Sequence, residues 1–276
     1  MNPTEESKSS KVTGHYDTNY GNFQKKLYGE IRREAFREDI GQNSWLTATE
    51  QDQFLTWLEL GAGKTLLDVA CGSGGPALRI AAATGCSIVG IDLHDQAICT
   101  AKSLAAQRNQ EEHSQFLVVN ATEKLPFPDA TFDAITCIDA INHLPDRPRV
   151  IAEWARLLKP GGHLLFTDPI TLTGPLTHQE IVMRSSIGFF LFVPRGYDED
   201  VIARCGLRLL VCKDVTENMA EVAERRRAAR ESRSAALREI EGEPTFEAEQ
   251  AFLGVAARIA KERRLSRFLF VSQKVG

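Results

Sequence analysis

These 276 residues contain no C-x-x-C pair, no histidine at zinc-ligand spacing from a cysteine, and no long apolar run. Each absence excludes something. The six cysteines (71, 86, 99, 137, 205 and 212) give neither a disulfide framework nor a metal site, and most lie in apolar segments where a reduced thiol packs as a small hydrophobe. The longest apolar runs, such as 187–193, fall far short of the ~20 residues that cross a bilayer. Residues 1–13 lack the apolar stretch of a secretory leader and read as a solvated tail. An excess of one charge is missing too. A net charge of -4 provides no field to gather phosphate backbones, which argues against nucleic acid as a partner. The expectation is a reduced, cytoplasmic protein with a small-molecule partner and no membrane association, as a monomer or homodimer.

What is present begins with helices. Residues 22–37 place Phe23, Leu27, Ile31 and Phe36 about one turn apart, and Thr47-Ala48-Thr49-Glu50 reads as a capping box opening 51–60. From Lys64 short apolar runs alternate with helical segments. Strands are expected at 65–70, 87–91, 115–119, 132–138 and 163–167, with helices at 74–83, 95–107 and 148–158. That alternation predicts a parallel, doubly wound α/β sheet with right-handed crossovers. Beyond Pro169 the rhythm breaks: residues 171–193 hold a Gly/Pro turn and then an apolar, helical stretch, followed by strands at 207–212 and 267–272 with a charged helical segment between them. The arginines of 217–243 alternate with glutamates, which reads as a solvated, ion-paired face. The expected division is a tail (1–13), an N-terminal helical cap (14–60), and one catalytic domain (61–276) with lid insertions near 171–193 and 215–263.

The string Leu66-Leu67-Asp68-Val69-Ala70-Cys71-Gly72-Ser73-Gly74-Gly75-Pro76 runs from a predicted strand into a predicted helix. Glycines let such a turn approach a ligand closely, with free N–H groups at the helix start. Gly72-x-Gly74-x-x-Ala77 with Asp92 after the second strand also fits a dinucleotide fingerprint, so a nicotinamide dehydrogenase is a rival reading. Three features favour another cofactor. Asp68 would repel a pyrophosphate but suits a cation, and Asn120-Ala121 can meet an adenine edge. Leu157-Leu158-Lys159-Pro160-Gly161-Gly162 makes a helix stop and tight turn.

With Gly90-Ile91-Asp92, Leu125-Pro126-Phe127 and Phe132-Asp133-Ala134-Ile135, this set resembles the class I S-adenosylmethionine-dependent methyltransferases over residues 62–168. The nearest look is to their small-molecule branch, which includes quinone, sterol, sarcosine and phosphoethanolamine methyltransferases. The resemblance implies a Rossmann-like, mostly parallel seven-stranded sheet with N-terminal helices and a helical lid toward the C-terminus. It also implies that Asp68, Ala70, Gly72 and Gly74 border the methionyl and ribose parts of S-adenosyl-L-methionine. Asp92, with Leu93 beside it, would take the ribose hydroxyls. Asn120 and Ala121 would hold the adenine, and Cys137 would lie by the sulfonium. Tyr16 and Gln42, in the segment that closes over the cofactor in that family, complete the expected contacts. Ala70 stands where the family usually has glycine, and Asn120 where aspartate is commoner.

Methyl transfer asks the protein mainly for alignment in a dry pocket, with a base only when the nucleophile carries a proton. The acceptor is expected beyond the carboxyl ends of the fourth and fifth strands. Asp139 and His143 follow the fourth strand, and His178 lies in the insertion; these three are the candidate catalytic residues. Asn142, Asp168, Thr171, Glu180, Arg184, Phe189, Tyr20 and Trp45 are further polar or aromatic candidates in the same places. The expected function is methylation of a small molecule at N, O or C. The alternatives are a non-catalytic regulatory subunit that binds the same cofactor, or an RNA or protein methyltransferase.

Overall fold

The computed structural model describes residues 19–276. Helices α1 (Lys26–Phe36) and α2 (Ala48–Leu58) precede the sheet. The first half of the fold alternates β1 (Thr65–Val69), α3 (Gly75–Thr84), β2 (Ser87–Asp92), α4 (Asp95–Gln107), β3 (Ser114–Val118), β4 (Phe132–Ile138), α5 (Arg147–Leu157) and β5 (Leu158–Leu172). Then come α6 (His178–Arg184), β6 (Val193–Pro194), α7 (Tyr197–Arg204), β7 (Leu207–Asp214), α8 (Thr216–Glu231), α9 (Ser234–Glu241), α10 (Glu243–Lys261) and β8 (Leu265–Lys274).

The strands form one sheet in the order β3-β2-β1-β4-β5-β8-β7, with the two-residue β6 beside β5. β1 through β5 are mutually parallel, and β8 runs antiparallel to both β5 and β7. Leu66, Leu67 and Val69 of β1 are fully buried because helices cover both faces, which is why the strand reads as a continuous apolar run. The order reverses between β1 and β4, so the loops leaving these two strands part and open a crevice at their carboxyl ends.

Two expectations about the second half need correction. The fifth strand, expected at 163–167, spans Leu158–Leu172, because β8 pairs along it past a register shift as far as Leu172. Residues 171–193 do turn and then enter a helix, but that helix, α6, is only seven residues long, with the end of β5 before it and β6 after it. The charged helix α8 is likewise no simple solvated face. Its Met219, Ala220, Val222 and Ala223 are buried against Ala35, Phe36 and Trp45 from the N-terminal segment and Phe252, Leu253 and Ala256 of α10. Helices distant in sequence thus share one apolar cluster. Ion pairs do line their exposed sides, such as Arg233 with Glu34 and Arg225 with Glu221. Among the described residues, no helix is long and apolar enough to cross a membrane.

Candidate active site

β1 ends in a turn whose backbone is unusual at alternate residues: Ala70 (φ 54°), Gly72 (φ 54°) and Gly74 (φ 73°) all lie in the left-handed region. The turn is packed from two sides. A Cβ on Gly74 would stand 2.8 Å from the Phe116 ring, and one on Gly75 would stand 2.2 Å from the Ile40 carbonyl oxygen. A Cβ on Gly72 would stand 2.5 Å from the Tyr20 hydroxyl. The Ser73 hydroxyl donates to the Gly41 carbonyl, which ties the N-terminal segment down onto the turn.

Two buried carboxylates stand beside this turn. Asp92, at the tip of β2, accepts from Gly72 N at 2.9 Å and His94 N at 3.0 Å, so it shapes the glycine turn as well as facing it. Asp68 accepts from the Thr136 hydroxyl at 2.7 Å and forms no ion pair among the described residues. Burial, with the nearby Asp92 charge adding to it, pushes the Asp68 carboxyl up to about 7. Burial raises Asp92 as well. Leu93 beside it is 57% exposed, an apolar platform at the mouth of the site.

Beyond β4 lies a cavity of about 60 Å³. Its walls include Asp139, Asn142 and His143 from the loop after β4, Trp45 from the N-terminal segment, Arg184 of α6, and Glu249 and Phe252 of α10. The Arg184 guanidinium lies 4.8 Å from the Phe252 ring centroid and 5.3 Å from that of Phe190, within cation–π range of both. His143 packs edge-on against Phe190, and its Nδ1 donates to the Phe189 carbonyl at 2.9 Å, which leaves Nε2 as the basic nitrogen. Burial lowers this imidazole to about 4, so it is neutral at pH 7.

Comparison with known proteins agrees with this arrangement. A family model described as a methyltransferase domain matches residues 67–166. The 27-O-demethylrifamycin SV methyltransferase of Amycolatopsis mediterranei is 33% identical over 151 residues, 54% of this chain and 55% of that protein. The sterol 24-C-methyltransferase of Saccharomyces cerevisiae is 33% identical over 169 residues, 58% of this chain and 43% of that protein. The chain thus spans about half the length of these curated relatives. Among solved structures, a cyclopropane synthase from Mycobacterium tuberculosis superposes with a TM-score of 0.81 at 19% identity, covering 95% of this chain and 98% of that one. Residues 67–166 of the chain carry a methyltransferase domain.

The expected residues fall into three groups. Asp68, Ala70, Gly72, Gly74, Asp92 and Leu93 do gather at one edge, on the turns after β1 and β2. Asn142 and His143 line the cavity with Asp139, but Asp139 is not available as a base. Its carboxylate accepts from Arg267 Nε at 2.6 Å, Thr167 Oγ1 at 2.7 Å and Trp45 N at 2.9 Å. The third group lies apart from the cavity or is engaged by its own surroundings. His178 is exposed at the start of α6 and does not line the cavity. Gln42 spends both ends of its amide on the backbone of its own turn, at Glu38 O and Ile40 N. The Asn120 amide oxygen is taken by the backbone and hydroxyl of Thr122, in a local turn, with Ala121 half-buried behind it. Cys137 is fully buried in the core, where burial raises its thiol. Tyr16 lies outside the described residues.

The sequence reading missed Arg267, Glu50, Glu249 and Phe252. Arg267 has no exposure and bridges Glu50 and Asp139 at 2.6 Å each. One signal could have found it: an arginine set just before the apolar run Phe268–Val271 of a strand needs a buried anion. Glu249 and Phe252 are three apart on α10 and so share a face.

Proposed function

We propose that this chain transfers a methyl group from S-adenosylmethionine to a small-molecule acceptor held in the cavity beyond β4. The observation that carries the reading is the buried Asp68 carboxylate beside the glycine turn, with no positive partner among the described residues. A site that raises a carboxyl to about 7 fits a cationic ligand, and the methionyl end of this cofactor is one. The exposed Leu93 fits the flat, apolar face of an adenosyl group, and Asp92 stands where two ribose hydroxyls can donate. Gly72 and the helix start behind it supply close-approach backbone. Bound there, the cofactor supplies a methyl group on a positively charged sulfur, whose bond electrons stay on sulfur as the acceptor's lone pair takes the carbon.

The chain's own contribution is placement and exclusion of water. Trp45, Phe190 and Phe252 supply apolar walls, and Asn142, Arg184, Arg226 and Glu249 supply polar and charged groups that can orient an acceptor. His143 is neutral and can take a proton transiently from a hydroxyl, though a group lowered to about 4 will not hold it at pH 7. A cavity of about 60 Å³ is well below the usual ligand-pocket size of about 300 Å³ or more, so the segments 19–46, 178–192 and 216–261 act as a lid that opens to admit the acceptor.

The test is calorimetry followed by turnover. Purified protein should bind S-adenosylhomocysteine and not NAD, and should pass label from S-adenosylmethionine to at least one of pooled phenol, carboxylate, amine and prenyl acceptors, read by mass spectrometry. Tighter binding of NAD would sink the assignment.

A further inference from the structure

Asn142 is 1% exposed, lines the cavity beyond β4, and has neither its Nδ2 nor its Oδ1 hydrogen-bonded among the described residues. Leaving a buried carboxamide unmet is costly, so such a group asks for a reason. Its placement is fixed from outside: the Asn142 carbonyl accepts from Leu191 N at 2.8 Å, and the neighbouring His143 is held by Phe189. A rigid, unmet polar group on a cavity wall is what a pre-organised binding residue looks like.

From this geometry we infer that Asn142 is the acceptor-binding residue, and that the acceptor presents two adjacent oxygens, at least one of them a hydroxyl. The inference rests on the proposed methyl transfer and adds the acceptor's chemistry. A primary carboxamide offers one acceptor and one donor side by side. An ammonium only donates, so it would leave Nδ2 unmet. A carboxylate only accepts, so it would leave Oδ1 unmet. A catechol, vicinal diol or hydroxy-ketone satisfies both: its O–H donates to Oδ1 and the adjacent oxygen accepts from Nδ2. In a catechol or diol the oxygen that accepts from Nδ2 keeps its own O–H free, and this hydroxyl forms the new O–CH₃ bond as the methyl group's bond to sulfur breaks with both electrons left on sulfur. Its O–H bond breaks, and the proton passes to His143 Nε2 or water.

Asn142→Leu keeps the volume and removes the unmet polar group, which separates the binding role from a structural one. The variant without ligand should melt about 2–6 °C above wild type, with an unchanged dissociation constant for S-adenosylhomocysteine. Catechol, benzylamine and 2-piperidone are then added to the protein saturated with S-adenosylhomocysteine. Catechol should raise the wild-type melting temperature and leave the variant's unmoved. With S-adenosylmethionine, methylated catechol should form with a KM at least about tenfold higher in the variant. A lower melting temperature in Asn142→Leu overturns the inference, because the amide would then be structural. A shift with benzylamine or 2-piperidone in place of catechol, or none with catechol, overturns the two-oxygen assignment. Failure to bind S-adenosylhomocysteine would instead refute the methyltransferase reading beneath it.

Discussion

Asp68 and His143 are both buried and are pushed in opposite directions by the same cause. Burial disfavours the charged form, so the carboxyl rises from 3.8 to about 7 and the imidazole falls from 6.5 to about 4. For Asp68 the folded chain holds its proton more firmly than the unfolded chain, so its share of stability is present below about pH 4 and is lost as pH rises toward about 7. For His143 the unfolded chain takes up the proton first, so stability is lost as pH falls from about 6.5 toward 4. Asp198, raised to about 7 by burial and the nearby Asp168 charge against the opposing pull of Arg147, adds a slope of the same sign as Asp68. Comparison with Asp68→Asn isolates the Asp68 part. The variant should melt higher than wild type at pH 8, with the gap closing toward pH 4. Wild-type affinity for S-adenosylhomocysteine, whose amino group is cationic, should rise between pH 6 and 8, and the variant's should not. Parallel melting curves for the two proteins across this range would show that Asp68 is charged and satisfied in the free protein.

At the scale of elements, the turn after β1 and the segment 38–43 act as one unit. Gly75 is where they touch, since a Cβ there would meet the Ile40 carbonyl at 2.2 Å and the Gly41 Cα at 2.7 Å. Both are backbone atoms, so the neighbour cannot rotate away. Gly75→Ala should therefore lift residues 38–43 off the turn and lower affinity for S-adenosylhomocysteine by about tenfold or more, while far-UV dichroism stays unchanged because alanine suits a helix start. Gly61→Ala, with open space around it, is the control; equal affinities in the two variants would mean that the contact does not matter. The sequence made this strand-turn-helix readable because β1 is an uninterrupted apolar run ending in glycines, and β2 and β4 were readable for the same reason. The cap was not readable. The buried positions of α8 face two helices at once, α1 and α10, so they give no single apolar stripe, and its partners lie far away in the chain. Asp139 looked like a free base for a related reason: its arginine is 128 residues distant.

The whole molecule is held at the site by one charge cluster. Arg267 of β8, with no exposure, donates from Nη1 to Glu50 of α2 and from Nε to Asp139 after β4. Asn218 of α8 donates to Glu50 and to the Trp45 carbonyl, and Trp45 N donates to Asp139. The sheet, the N-terminal segment and the cap therefore meet at a single guanidinium beneath the cavity floor. Removing it would strand two carboxylates in the interior, where burial already raises Glu50 and Arg267 is the main group that opposes the rise. Arg267→Met should cost about 3–5 kcal/mol at pH 8 by denaturant unfolding. The loss should be smaller at pH 5, because the stranded carboxylates can then take up protons. Equal losses at the two pH values would mean that the arginine acts through packing alone. Replacing all three residues together, as Glu50→Gln, Asp139→Asn and Arg267→Met, removes the charges along with their partner and should recover most of the stability, since the penalty lies in leaving charges unpaired and not in lacking the pair. That triple variant should still bind S-adenosylhomocysteine at the glycine turn. Its acceptor turnover should fall, because Trp45 and the loop after β4 form the cavity wall and lose their common anchor.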